Sequence, residues 1–141
     1  MQIHASCVVR QGEGVLLLGE PGGGKSSLAL RLIGRGFLLV ADDRVELDGK
    51  MARPAAALAG LIEVRGLGVI RLPYEAPVRV AVAVELGGVV DRMPSPRTHA
   101  LTGAPLLGFD AADPALPEKV AVTLDCALGR LTCVAGGLPG T

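Results

Sequence analysis

GEPGGGKSSLAL, residues 19–30, sets Lys25 among glycines directly ahead of a run with helical spacing. Gly19 and Gly24 stand at the separation of the phosphate-binding pattern G-x-x-x-x-G-K-[ST], which Lys25 and Ser26 complete. The flanks suit that mechanism. Residues 15–18, VLLL, read as a wholly apolar strand, while Leu28, Leu32 and Ile33 recur at helical spacing before the stop signals Gly34 and Gly36. Glycines allow backbone N–H groups to turn inward around a phosphate, and the helix N-terminus adds unpaired donors and about half a positive charge. Gly19, Glu20, Pro21, Gly22, Gly23, Gly24, Lys25, Ser26 and Ser27 are therefore the candidate nucleotide-binding residues. Lys25 is expected to reach the β- and γ-phosphates of ATP, and Ser26 to hold Mg²⁺. A glycine-rich turn carrying a solvated lysine is the plainer alternative.

Working outward, residues 3–10 read as a strand, 11–14 as a turn, and the pair with 15–18 as a hairpin. Residues 37–41, FLLVA, form another apolar run that closes on Asp42 and Asp43. Strand, loop, helix and strand predict a βαβ unit with parallel pairing and a right-handed crossover, its site at the carboxyl ends of the strands. RVELDGKMARP predicts a hairpin through Asp48-Gly49. Residues 61–72 read as a strand broken by Gly66 and Gly68, and 78–86 as a clean apolar strand. Five of the ten prolines fall in 93–117, so a long loop region is expected there. EKVAVTLDCALGRL fits both helix and strand templates, with helix preferred. The expectation is one α/β domain, residues 1–141, with a mixed sheet and a helix following the phosphate loop.

Composition narrows the function classes. Phe37, Tyr74 and Phe109 are the only aromatics in a chain that is 50% hydrophobic, so Val, Leu, Ile and Ala must build the core. Stacking platforms for single-stranded nucleic acid need more aromatics than that. A formal net charge of zero with scattered basic residues gives no footprint for nucleic acid or an anionic membrane. The longest apolar tract, residues 78–90, is interrupted by Arg79 and Glu85 and falls short of a membrane span. The N-terminus lacks signal-peptide features, and a cytoplasmic protein is expected. Cys7, Cys126 and Cys133 show no metal-ligand spacing and read as reduced, mostly buried thiols.

Chemistry requires a group that activates an acceptor. Adjacent carboxylates at the mouth of a buried strand can divide the work: one orients the metal through water, and the other accepts a proton from an attacking hydroxyl. A metal-orienting role without a base, and a simple turn cap, remain open for Asp42 and Asp43. No Asn-Lys-x-Asp guanine-reading motif is present, and the length leaves no room for an additional ATPase lid domain. A small kinase or a nucleotide-dependent sensor remains.

Residues 19–47, from the glycine-rich loop through VADDRVEL, resemble the corresponding segment of bacterial HPr kinase/phosphorylase. IEVRGLGVI, residues 62–70, resembles that family's second signature, and His4 in QIHAS stands where the family carries a histidine. The resemblance covers about residues 2–92. It implies a fold related to phosphoenolpyruvate carboxykinase and a serine kinase acting on HPr, the small phosphocarrier of the sugar phosphotransferase system. It implies Asp43 as base for the target serine, Asp42 as its supporting carboxylate, Glu63 as a second Mg²⁺ ligand and His4 beside the centre. Arg92 corresponds to the family's catalytic arginine, although Met93-Pro94 follows where a Leu-Gly pair is usual. The family's N-terminal regulatory domain has no counterpart, so a catalytic half alone is expected. The loop associated with the reverse reaction, attack of inorganic phosphate on phosphoserine, falls on residues 113–119, DPALPEK, and both its arginines are gone. Weak or lost phosphorylase activity is the expectation. The resemblance also implies a homo-oligomer, commonly a hexamer.

Two other readings compete. A shikimate-type small-molecule kinase needs arginines around its substrate, and Arg92 and Arg97 are the only lid candidates. A non-catalytic sensor would bind Mg-ATP and transfer nothing.

Overall fold

The structure is a computed structural model and describes residues 1–88 and 90–138. Its strands are β1 (Gln2–His4), β2 (Ser6–Arg10), β3 (Glu13–Leu18), β4 (Leu38–Ala41), β5 (Arg44–Asp48), β6 (Met51–Pro54), β7 (Leu61–Val64), β8 (Gly68–Arg71), β9 (Val78–Leu86) and β10 (Leu106–Phe109). Helix α1 (Lys25–Ile33) follows β3, helix α2 (Leu116–Ala127) follows β10, and a short 3₁₀ turn (Ala56–Leu58) precedes β7. This is an α/β fold on a mixed eight-stranded sheet, ordered β1-β5-β6-β9-β3-β2-β4, with β10 added beside β9.

β9 is central because its sequence is almost continuously apolar, the composition of a strand covered on both faces. It runs parallel to β3 and to β10. One edge of β9 is shared: β6 pairs at Val78 and Arg79, and β10 pairs from Ala83 to Leu86. Alternation along β2 and β3 sends Val8, Val15 and Leu17 to one core and Cys7, Val9 and Leu16 to the other. The first core is closed by Leu28 and Leu32 of α1 and Val120 and Leu124 of α2. The second takes Val45, Leu47 and Ala52 from β5 and β6 of the same sheet, because the sheet curls until β4 approaches β6. Desolvation of fully buried Cys7 pushes its thiol up to about 12, so it stays protonated and packs as a small apolar group. All three cysteines are free. No described helix is long and apolar enough to cross a membrane.

Several expectations are corrected. β3 and β4 run in the same direction, but they do not pair: β2 lies between them, antiparallel to both. The cause is the tight Gln11-Gly12 turn, with φ of 52° and 78°, which zips β2 onto β3 and fills the place a parallel partner would take. The strand expected over 3–10 breaks at Ala5. β1 leaves to pair with β5, and the Ala5 N–H donates to the Asp43 carbonyl at 3.2 Å. The 44–54 hairpin forms with Gly49-Lys50 as its turn, one residue later than read. Residues 61–72 form a separate two-stranded hairpin, β7–β8, in which Gly66 and Gly68 serve the turn. The proline-rich span 93–117 contains β10 and the start of α2 rather than loop alone.

Candidate active site

The loop between β3 and α1 is shaped by its glycines. The Gly23 N–H donates to the Glu20 carbonyl at 2.8 Å, and a Cβ on Gly23 would stand 2.8 Å from that same oxygen. No larger residue closes this turn without displacement. Gly24, at φ +103°, is the N-cap of α1 and supplies no side-chain acceptor, so the first N–H groups of the helix have no side-chain cap. Lys25 folds back across the loop. Its ammonium donates to the Gly19 carbonyl at 2.8 Å and the Glu20 carbonyl at 3.1 Å, and the residue is only 6% exposed.

The acids follow β4, at the same end of the sheet as the loop. Asp42 is 9% exposed and is fixed by three donors: Ser26 Oγ at 2.7 Å and Ser6 Oγ at 2.9 Å to Oδ1, and the Glu63 N–H at 3.4 Å to Oδ2. Ser6, fully buried on β2, also accepts the Asp43 N–H at 3.3 Å. The chain then reverses in a γ-turn, with the Arg44 N–H donating to the Asp42 carbonyl at 2.8 Å. Asp43 at its centre has φ +68°, a conformation rare for a non-glycine residue and one that surrounding contacts must hold. The γ-turn sends neighbouring carboxylates to different places. Asp42 is buried and bonded, while Asp43 is exposed to a cleft.

That cleft, about 620 Å³, lies between the glycine-rich loop, α1, the acids and the β7–β8 hairpin. Pro21, Gly22, Gly24, Lys25, Ser26, Ser27, Asp42, Asp43 and Glu63 all line it. Gly19, Glu20 and Gly23 complete the loop behind them. His4, the last residue of β1, is in register with Arg44 beside the acid turn, yet it is exposed and does not line the cleft. Arg92 lies in the irregular segment beyond β9, exposed and also outside the lining.

Sequence reasoning missed two residues. Ser6, which braces Asp42 and Asp43, is signalled only as a hydroxyl at the head of the apolar run Cys7, Val8 and Val9. Arg65, in the turn of the hairpin, lines the cleft and among the described residues is its one cation besides Lys25. Among the described residues no group of three or more His, Cys, Asp or Glu could hold a metal alone. The oxygen donors in the cleft do suit Mg²⁺, which takes one or two protein oxygens and fills its other positions with phosphate and water.

Comparison with known proteins gives a consistent result. Residues 1–74 match the family model of the HPr Serine kinase C-terminal domain. The chain is similar to HPr kinase/phosphorylase of Clostridium tetani, 46% identical over 76 residues that make up 51% of this chain and 25% of that protein. Similarity to the Streptococcus thermophilus HPr kinase/phosphorylase is 45% over 73 residues, 48% of this chain and 24% of that protein. The chain thus spans about a quarter of the length of the curated relatives it matches. Among solved structures, the Hpr(Ser) kinase/phosphatase of Coxiella burnetii superposes with a TM-score of 0.80 and 26% identity, covering 92% of this chain and 97% of that one.

Proposed function

The chain belongs to the HPr serine kinase C-terminal domain family, and from that premise we propose an ATP-dependent kinase that phosphorylates a serine of HPr or a related phosphocarrier protein. The observation that carries the reading is the cleft itself, in which Asp43 lies exposed beside Lys25 and Ser26 while Asp42 is fully engaged. Loop and helix N–H groups take the β-phosphate, and Lys25 exchanges the Gly19 and Glu20 carbonyls for phosphate oxygens. Ser26 and Glu63 would hold Mg²⁺, which when bound offsets the charge developing on the transferred group. Asp43 accepts the proton of the target serine as that oxygen forms its bond to the γ-phosphorus and the bond to the ADP oxygen breaks. Asp42 keeps Ser26 oriented through the 2.7 Å contact, and Ser6 keeps both acids in place.

The test is transfer of label from γ-labelled ATP to HPr and to an HPr whose target serine is changed to alanine. Label is expected on the first and none on the second. Equal labelling of both, or of neither, overturns the proposal.

The same reading includes a feeble reverse reaction. A phosphate nucleophile must be positioned by cations or N–H donors. In segment 113–119 the one cation, Lys119, is paired with Asp113, whose Oδ1 also accepts the Ala115 N–H at 2.8 Å. These hydrogen bonds and the ammonium hold the half-buried Asp113 carboxyl below the usual carboxylate range. Because the folded value is depressed, this contribution to stability is present above the ordinary carboxylate value and is lost as pH falls through the folded one. Arg31 of α1 donates to the Pro114 carbonyl at 3.0 Å and Arg35, in the turn after α1, pairs with Glu118, so these two arginines pin the segment. With phosphoserine-HPr and excess phosphate, pyrophosphate release is expected to be at least about 10²-fold slower than forward transfer. Comparable rates would refute a one-directional enzyme.

A further inference from the structure

We infer that the donor site takes nucleoside triphosphates with little regard to the base, a deepening that rests on the kinase reading above. On α1, Leu30 follows Ser27 by three residues and so lies on the same face, one turn farther from the phosphate loop. It is 40% exposed and lines the cleft. Facing it are Leu58 of the 3₁₀ turn, Leu61 of β7 and Val69 of β8, the last 65% exposed. A triphosphate seated on the loop directs its nucleoside along this aliphatic wall.

The polar side chains of the cleft are concentrated at the phosphate end and largely committed there. Lys25 holds loop carbonyls, Ser26 holds Asp42, and Asp43 and Glu63 face the reacting group. Among the described residues, neither Asn, Gln nor an aromatic lines the cleft. Arg65 offers a planar cation that stacks on any base. A wall of this kind binds by contact with a face that every base presents, whereas strong discrimination requires buried polar groups that an incorrect base leaves unpaired. Leu30 and Val69 thus set donor affinity without setting donor identity.

The test compares ATP, GTP, CTP and UTP as donors to HPr, with inorganic tripolyphosphate as a competitor that carries no base. The four kcat/KM values are expected to fall within about tenfold of one another. Leu30→Ala and Val69→Ala are each expected to raise KM for all four by a similar factor, roughly threefold or more, and to leave inhibition by tripolyphosphate unchanged. Preference for one triphosphate by more than about 100-fold, or equal weakening of tripolyphosphate and ATP by Leu30→Ala, overturns this inference while the kinase reading stands. No transfer from any of the four overturns both.

Discussion

Replacing Asp43 by Asn is expected to lower turnover with HPr about 10²- to 10⁴-fold while leaving Mg-ATP affinity within about threefold of wild type, since an acid that acts only on the acceptor contributes little to ground-state binding. The side chains are nearly isosteric, and Asp43 is held through its main chain: its N–H donates to Ser6 and its carbonyl accepts from Ala5. The γ-turn therefore survives the change, and the loss is chemical rather than structural. Asn also tolerates a positive φ better than most residues. Nucleotide titration calorimetry beside steady-state transfer separates the two quantities. A variant with unchanged turnover would remove Asp43 as the base, and one that lost Mg-ATP affinity together with turnover would favour the metal-orienting alternative. If the wild-type protein bound Mg-ATP with equal strength and labelled no acceptor, the chain would be a sensor rather than a kinase.

Lys25→Ala is expected to act on both quantities. Lys25 is 6% exposed and its ammonium is held in the loop, so it is already positioned for a phosphate. A hydrogen bond to a charged group contributes about 1.5–3 kcal/mol, which corresponds to a loss of nucleotide affinity of roughly 10- to 150-fold. Turnover at saturating nucleotide should fall by a further 10²-fold or more, because charge on the transferred phosphoryl group develops next to the missing cation. The fold should persist, since the lysine's partners are two carbonyls at the solvent-facing loop and α1 is anchored separately by Leu28 and Leu32 in the core. Circular dichroism should be unchanged. Retained affinity together with retained turnover would mean that the glycine-rich loop does not seat the phosphates.

What the sequence made legible follows from how local each signal is. The glycine-rich loop and α1 are encoded within fifteen consecutive residues, 19–33, and β9 coincides with its apolar run because a strand buried on both faces needs no alternation. The preference for helix over strand in α2 also agrees, with Leu116, Val120 and Leu124 forming the buried stripe. The position of β2 between β3 and β4 was not legible. Periodicity reports which way side chains point and not which strand lies beside which, so a hairpin and a crossover that compete for the same edge of β3 look alike. The break at Ala5 escaped for a similar reason. β1 and β2 are both extended, and only a hydrogen bond to the distant Asp43 carbonyl separates them. β10 was masked by prolines on either side of a four-residue strand whose pairing depends entirely on β9.

The candidate site divides along the same line. Loop residues, acids and Glu63 converge in one cleft because each sits at the end or edge of an element the sequence located. His4 and Arg92 were placed by resemblance alone, and neither lines the cleft. Ser6 and Arg65 carried no motif weight of their own. Their importance lies in what they face: the Asp42 carboxylate and the Asp43 N–H for Ser6, and the open cleft for Arg65.

The most direct measurement is a crystal structure with Mg²⁺ and a non-hydrolysable ATP analogue. The account predicts the β-phosphate enclosed by main-chain N–H groups of residues 19–26, Lys25 moved from the Gly19 and Glu20 carbonyls onto phosphate oxygens, and Asp43 facing the γ-phosphate across a gap that admits a serine hydroxyl. A nucleotide bound elsewhere, or Asp43 turned out of the cleft with the nucleotide in place, would contradict it.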